Sequence, residues 1–250
     1  MTSEFSGSGD VNRSLVLLWH KRERPSRGPK PALTLEQIVA AAIKVADADG
    51  LEAVSMRRIA STLGVGTMSL YRYVPGKAEL LDLMLDHVID PDPDLTVDTL
   101  NWRQVLELFA HESWQLYQAH PWLLQVDQSR PLLGPNALTG VEGILAGLAG
   151  LGLTDQERVT VLTTVDAYVT GLARNLVGAV EAERRTGVSN QEFWAMQEPV
   201  LIKAMASGDY PTLASLDEDA WAGPWDMTFE FGLQRLLDGI EAFIATRGRA

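Results

Sequence analysis

Apolar residues recur at three- and four-residue steps along nearly the whole chain, and segments that alternate apolar with polar residues are essentially missing. That period puts one apolar stripe on each of a series of α-helices and leaves no material for a sheet. Thr34 followed by Gln37 makes a capping box that opens a helix running to about residue 48, with Leu35, Ile38, Ala42 and Val45 on its apolar face and Gly50 as its stop. Ser55 caps a second helix with Met56, Ile59, Ala60 and Leu63 inward, Gly64 breaks it, and a short third helix comes next over 67–73. Pro75 and Gly76 turn the chain into a fourth helix carrying Leu80, Leu81, Met84, Leu85 and Val88.

Two prolines and three aspartates at 90–94 separate this first unit from the remainder of the chain. Helical patterns resume over about 102–119, up to 151, 154–185, 190–206 and within 221–246, the long one opened by a Thr154–Glu157 capping box. The fold class expected is all-α, an N-terminal helix-turn-helix unit joined to a larger helical domain. Three regions result. Residues 1–30 read as a flexible basic arm, because 1–10 are small and polar and 21–31 hold three prolines; 31–90 form the first folded unit and 91–250 the second.

The 250 residues include no cysteine, which excludes disulfides, thiolate metal sites and a cysteine nucleophile. No run of about 18 apolar residues occurs and no export signal opens the chain, so a soluble, cytoplasmic protein is expected. The net charge of −12 conceals a division. Residues 13–77 hold 11 Lys/Arg against 5 Asp/Glu, net +6, whereas 78–250 hold 10 against 26, net −16. A basic front on an acidic remainder suggests that the front alone meets a polyanion, although solvated surface charge would look the same.

Residues 55–73 are more specific. Two short helices joined by a glycine-containing turn form a helix-turn-helix, whose second helix can enter a DNA major groove about 12 Å wide. Gly66, Thr67, Met68 and Ser69 are small or flexible and allow close approach, while Tyr71, Arg72, Tyr73 and Lys77 can serve as donors to the phosphate backbone. A generic three-helix core would share the geometry.

The strings Val54-Ser55-Met56-Arg57-Arg58-Ile59-Ala60, Leu63-Gly64-Val65, Leu70-Tyr71-Arg72-Tyr73-Val74 and Lys77-Ala78-Glu79-Leu80-Leu81 closely resemble the DNA-binding domain of the tetracycline-repressor (TetR) family. A weaker resemblance to that family's ligand-binding and dimerisation domain continues through His120-Pro121-Trp122-Leu123, Leu133-Gly134-Pro135 and 152–187. The resemblance implies that Arg57 reaches a guanine edge and that Thr67, Met68 and Tyr71 face bases. It also implies that Ser55, Ser69, Arg72, Tyr73 and Lys77 contact phosphates, with Leu70 in the core. It further implies a homodimer on a palindromic operator in double-stranded DNA, released by a small-molecule effector. With that resemblance, the stripe over 159–180 together with Phe229, Leu233, Leu236, Leu237, Ile240 and Phe243 is expected to form a four-helix dimer seam, although the same stripes could instead be internal core.

For an effector pocket the second domain offers Trp102, Trp114, Tyr117, Trp122, Arg130, Asp166, Asn175 and Trp194, with Arg174 and Gln125 nearby in sequence, although core packing is the plainer role for each aromatic. Aromatics with occasional acids suit a bulky apolar or cationic compound. The family's best-known member holds a metal through a histidine before an Arg-Pro pair; residues 126–131 here have none, so no metal and no cofactor are expected. Two other readings compete: an activator or architectural DNA-binding protein without effector, and a helical enzyme. The latter lacks any nucleophile–base motif, phosphate-cradling glycine loop or metal spacing.

Overall fold

The computed structural model describes residues 4–20, 33–89, 99–217, 220–221 and 223–247. Eleven α-helices run in order among them: α1 Val11–His20, α2 Leu35–Asp49, α3 Met56–Thr62, α4 Thr67–Leu70, α5 Lys77–Val88, α6 Trp102–Ala119, α7 Pro135–Gly147, α8 Asp155–Thr186, α9 Asn190–Met205, α10 Pro211–Ala214 and α11 Trp225–Arg247. The described residues contain no strand, only a single parallel bridge between Phe5 and Asp127. The protein is all-α.

The caps form where side-chain chemistry dictates. Thr34 Oγ1 accepts from Gln37 N at 3.2 Å while Gln37 Oε1 accepts from Thr34 N at 2.9 Å. Thr154 and Glu157 make the same reciprocal pair at the start of α8, and Gly187 stops that helix at φ 67°, a left-handed conformation costly for other residues. Helix α4 is shorter than expected. Its turn closes at Leu70, whose carbonyl accepts from both Tyr73 and Val74, because Val74 precedes Pro75 and is kept out of helical geometry.

Two cores result. The first gathers Ile38, Ala42, Ile59, Leu70, Leu80 and Met84 from the front helices. It also takes Trp122, Leu123 and Val126 from a 3₁₀ turn, Pro121–Gln125, and its end just beyond α6. The second packs α6, α7, α8 and α11 through Leu106, Trp114, Leu148, Val165, Val169, Phe229, Leu233 and Leu237. Tyr117 packs against both. Arg103 ties α6 to α11, donating to Gln234 at 2.7 Å and Asp238 at 2.8 Å, and this pairing lowers the Asp238 pKa below the usual carboxylate range.

Two expectations need correction. The segment 1–30 is not a flexible arm throughout: residues 4–20 fold onto α5, with Leu18 buried in the first core and Ser14 fully buried. Polar, glycine-rich sequence reads as disorder, yet here the hydroxyls and amides of Ser6, Gly7 and Ser14 satisfy the buried carboxylate of Asp82. The basic stretch 21–31 lies outside the described residues. The second correction concerns the seam. Val165, Val169, Phe229, Leu233, Leu237 and Ile240 face inward and close the second core within one chain. Their helices are amphipathic on two sides, so a stripe alone does not say which side meets a partner.

Candidate nucleic-acid interface and effector cavity

The front helices expose one small surface. Ser55 is the N-cap of α3, its Oγ accepting from Arg58 N at 3.2 Å. This leaves Arg57 and Arg58 exposed to solvent on the first turn. Arg58 pairs with Asp49 at 2.8 Å, both exposed, a contact of small energetic weight. Arg57 has no ion pair among the described residues.

Gly64, at φ 66°, supplies the left-handed turn that brings α4 across α3. On α4, Leu70 is completely buried and anchors the helix, whereas Met68 is 76% exposed and Tyr71 just beyond it 43%. A methionine set outward on a four-residue helix buries little and presents a deformable apolar tip. Thr67 and Ser69 lie half-exposed beside it, Arg72 is exposed, and Tyr73 leans on the core. Lys77 opens α5, with its ammonium 2.8 Å from the Glu4 carboxylate. The expected base-facing and phosphate-facing residues thus gather on the exposed side of the front unit.

The second domain contains a cavity of about 660 Å³, lined by Tyr117 of α6, by Leu123 to Ser129 and Pro131 of the adjoining turn and loop, and by Asp166, Thr170 and Arg174 of α8. The last three recur every four residues, so one α8 face points into it. Tyr117 Oη and Thr170 Oγ1 are 3.0 Å apart across the space. Burial raises the Tyr117 pKa, opposed in part by the Thr170 hydrogen bond. Asp166 has no hydrogen bond or ion pair among the described residues, and burial alone pushes its carboxyl above the ordinary range. The Asp127 carboxylate, by contrast, is held below that range by the Ser129 amide.

Of the pocket residues expected from sequence, Tyr117, Gln125, Asp166 and Arg174 line this cavity. Trp114 stacks on Phe229 at 4.7 Å in the second core, Trp102 packs beside that core, and Trp122 is 1% exposed in the first, donating to Asp47 at 2.8 Å. Arg130 is exposed, Asn175 lies on the outer part of α8 and Trp194 is 55% exposed on α9, none of them on the lining. Sequence reasoning missed Thr170 and the apolar wall of Leu123, Leu124 and Val126; the four-residue step from Asp166 through Thr170 to Arg174 was the available signal. A second hollow, about 580 Å³, lies between α8 and α11 beside Thr160, Thr164, Leu236 and Phe243. Its walls, which include the buried Val161 and Ile240, belong to the second core and its rim rather than to the junction of the cores.

Fold and surface together define a two-domain helix-turn-helix protein, with a DNA-reading head and a cavity-bearing helical body. Comparison with known proteins agrees. Residues 38–84 match "Bacterial regulatory proteins, tetR family", and residues 93–244 match "Tetracyclin repressor-like, C-terminal domain". The HTH-type transcriptional repressor DrrR1 of Streptomyces coeruleorubidus is 55% identical over 247 residues, covering 98% of this chain and 91% of that protein. An HTH-type transcriptional regulator of Saccharopolyspora erythraea is 34% identical, covering 90% of this chain and 91% of its own. Among solved structures, the Streptomyces coelicolor TetR family protein ActR in complex with actinorhodin superposes with a TM-score of 0.67 at 29% identity, covering 86% of this chain and 99% of that one. This chain belongs to the TetR family of transcriptional regulators.

Proposed function

We propose that this protein is a homodimeric repressor that holds a palindromic operator and leaves it when a small molecule fills the cavity between α6 and α8. The observation that carries this reading is shared packing. Leu123 and Val126 line the cavity and also belong to the core of the reading head, and Tyr117 rests on both cores. A ligand that displaces them must disturb the base on which the head sits, because close-packed interiors change in discrete steps. DNA and ligand then oppose each other by linkage.

On DNA, Arg57 takes a guanine edge, Thr67, Met68 and Tyr71 face bases, and Ser55, Ser69, Arg72, Tyr73 and Lys77 hold phosphates. One four-residue helix reads too little sequence alone, so two copies are needed, with half-sites about 34–36 Å apart. Outward apolar residues on α8, α9 and α11 support such a pairing: Val180 is 52% exposed, Phe231 65%, and α9 has no buried residue although it carries Phe193, Trp194, Met196 and Ile202. Patches of that kind on a single chain mark an interaction surface.

The effector is a bulky aromatic compound bearing a cationic amine. The cavity volume is that of a drug-sized ligand, and Asp166, with no hydrogen bond or ion pair among the described residues, lines it beside Tyr117 where its carboxylate can receive a positive group. ActR, solved with actinorhodin and with (S)-DNPA, supports a small-molecule effector here. The protein acts in the cytoplasm on the nucleoid. Among the described residues no helix is long and apolar enough to cross a membrane.

Selection of bound fragments from the source genome, with a subsequent compound screen that includes actinorhodin, tests the proposal. A recurrent palindrome released by a compound is expected. Failure to enrich any fragment at low salt removes the DNA role, and enrichment insensitive to every compound, with no compound bound in the cavity, removes the effector role.

A further inference from the structure

Glu4 stands at a junction that the DNA and effector roles do not use. Its carbonyl accepts from Asp127 N at 3.0 Å, and two residues on, Ser6 N donates to Asp127 O at 3.1 Å, so the chain around Phe5 is bridged to the cavity wall. The Glu4 side chain reaches elsewhere, and its carboxylate lies 2.8 Å from the ammonium of Lys77 at the first position of α5. Both side chains are about one-third exposed.

The segment is anchored between these ends. Asp82, 3% exposed, accepts from Ser14 Oγ at 2.7 Å, Gly7 N at 2.8 Å and Ser6 Oγ at 3.3 Å, and Glu79 accepts from Asp10 N at 3.1 Å. A buried carboxylate with three donors fixes those donors firmly, because each carries a charge-assisted hydrogen bond. Gly9 is pressed so close to Glu79 that a Cβ would lie 2.5 Å from its Oε1. Movement of the cavity wall therefore passes to Glu4, just outside an otherwise pinned segment.

We propose that residues 4–20 form a strap by which the cavity wall controls one DNA contact: while the Phe5–Asp127 bridge holds, Glu4 neutralises Lys77 and withholds it from phosphate. This rests on the reading of Lys77 as a phosphate contact and of the cavity as the effector site. A carboxylate at ion-pair distance cancels the attraction of the ammonium for a phosphate and adds its own repulsion. DNA binding must break the pair. A compound that favours the bridged wall holds Lys77 in the neutralised state and so weakens DNA binding, the sign that release from an operator requires.

The test uses full-length protein and random-sequence duplex DNA, so neither operator nor effector need be known. Glu4→Gln should raise affinity about two- to fivefold at low salt and steepen the log–log salt dependence by about 0.9, the signature of one added phosphate contact. Deletion of residues 1–5, which removes the Glu4 carboxylate and its carbonyl bond to Asp127 but leaves Ser6, Gly7 and Ser14 on Asp82, should do the same. In a Lys77→Met background both changes should have no effect, and this cycle separates the strap from a general loss of negative charge. Equal gains with and without Lys77, or no gain from either change in protein whose thermal unfolding is unaltered, overturn the strap while leaving DNA binding intact. Wild-type protein that binds no DNA at any salt overturns the underlying reading and the strap with it.

Discussion

The indole nitrogen of Trp122 donates to Asp47 Oδ1 at 2.8 Å, joining the turn after α6 to the last turn of α2. The same oxygen lies 2.7 Å from His120 Nδ1. A residue of the second domain is thereby built into the reading head, which makes the domain boundary a packed joint rather than a tether. Trp122→Ala should cost about 3–5 kcal/mol in urea unfolding through the cavity left behind, whereas Trp122→Phe should cost nearer 1–2. Similar small losses for both would mean that the joint is loose.

The two exposures on α4 separate folding from recognition. Leu70→Ala, at a completely buried position, should lower stability by about 2–5 kcal/mol. Met68→Ala, 76% exposed, should leave stability within about 0.5 kcal/mol while weakening binding to a selected operator. Paired thermal melts and mobility-shift titrations distinguish them; a destabilised Met68→Ala protein would contradict the outward placement.

Arg57 and Arg72 are expected to differ in what they read. Arg57→Ala is expected to cost about 1–3 kcal/mol on the operator and much less on random duplex, while Arg72→Ala should weaken both alike and reduce the salt slope by about 1. Equal losses on both DNAs for Arg57→Ala would reassign it to the backbone.

Burial raises the Asp166 pKa, so its charged form destabilises the folded chain. Protonated, the carboxyl fits its site, and stability is lost as pH rises from the ordinary aspartate range through the raised folded value. Asp166→Asn should therefore be more stable than wild type at pH 7, by under about 1 kcal/mol, and the gain should vanish below about pH 4. A cationic effector reverses the balance: its affinity should grow with pH across the same window in wild type and be flat in the variant. Melts at both pH values check the first statement and calorimetry the second.

Phe231, 65% exposed on α11, is expected at the homodimer seam, away from the inward face of that helix. Phe231→Glu should shift micromolar protein from dimer to monomer in sedimentation velocity without lowering the helical content. An unchanged dimer would move the seam elsewhere.

Local chemistry is legible in the sequence. The reciprocal caps at Thr34 and Thr154, the stops at Gly50 and Gly187, and the inward set Ile59, Ala60 and Leu70 arise from interactions within a few residues. The two short helices that carry Arg57 and Met68 are legible for the same reason, whereas the DNA contacts proposed for them rest on the family resemblance.

The amino-acid order alone therefore determined the all-α class and the capped helix ends at Thr34, Gly50, Thr154 and Gly187, because each depends on hydrogen bonds and periodicity spanning a turn or two. Tertiary structure decided the rest. Whether Trp122 fills a cavity or a core, whether Val165 and Leu237 meet a partner or each other, and whether Ser6 and Ser14 float or bind Asp82 all depend on residues tens of positions away. Such contacts form only when the whole chain closes around them, and a buried carboxylate looks in sequence like any surface acid until its donors arrive.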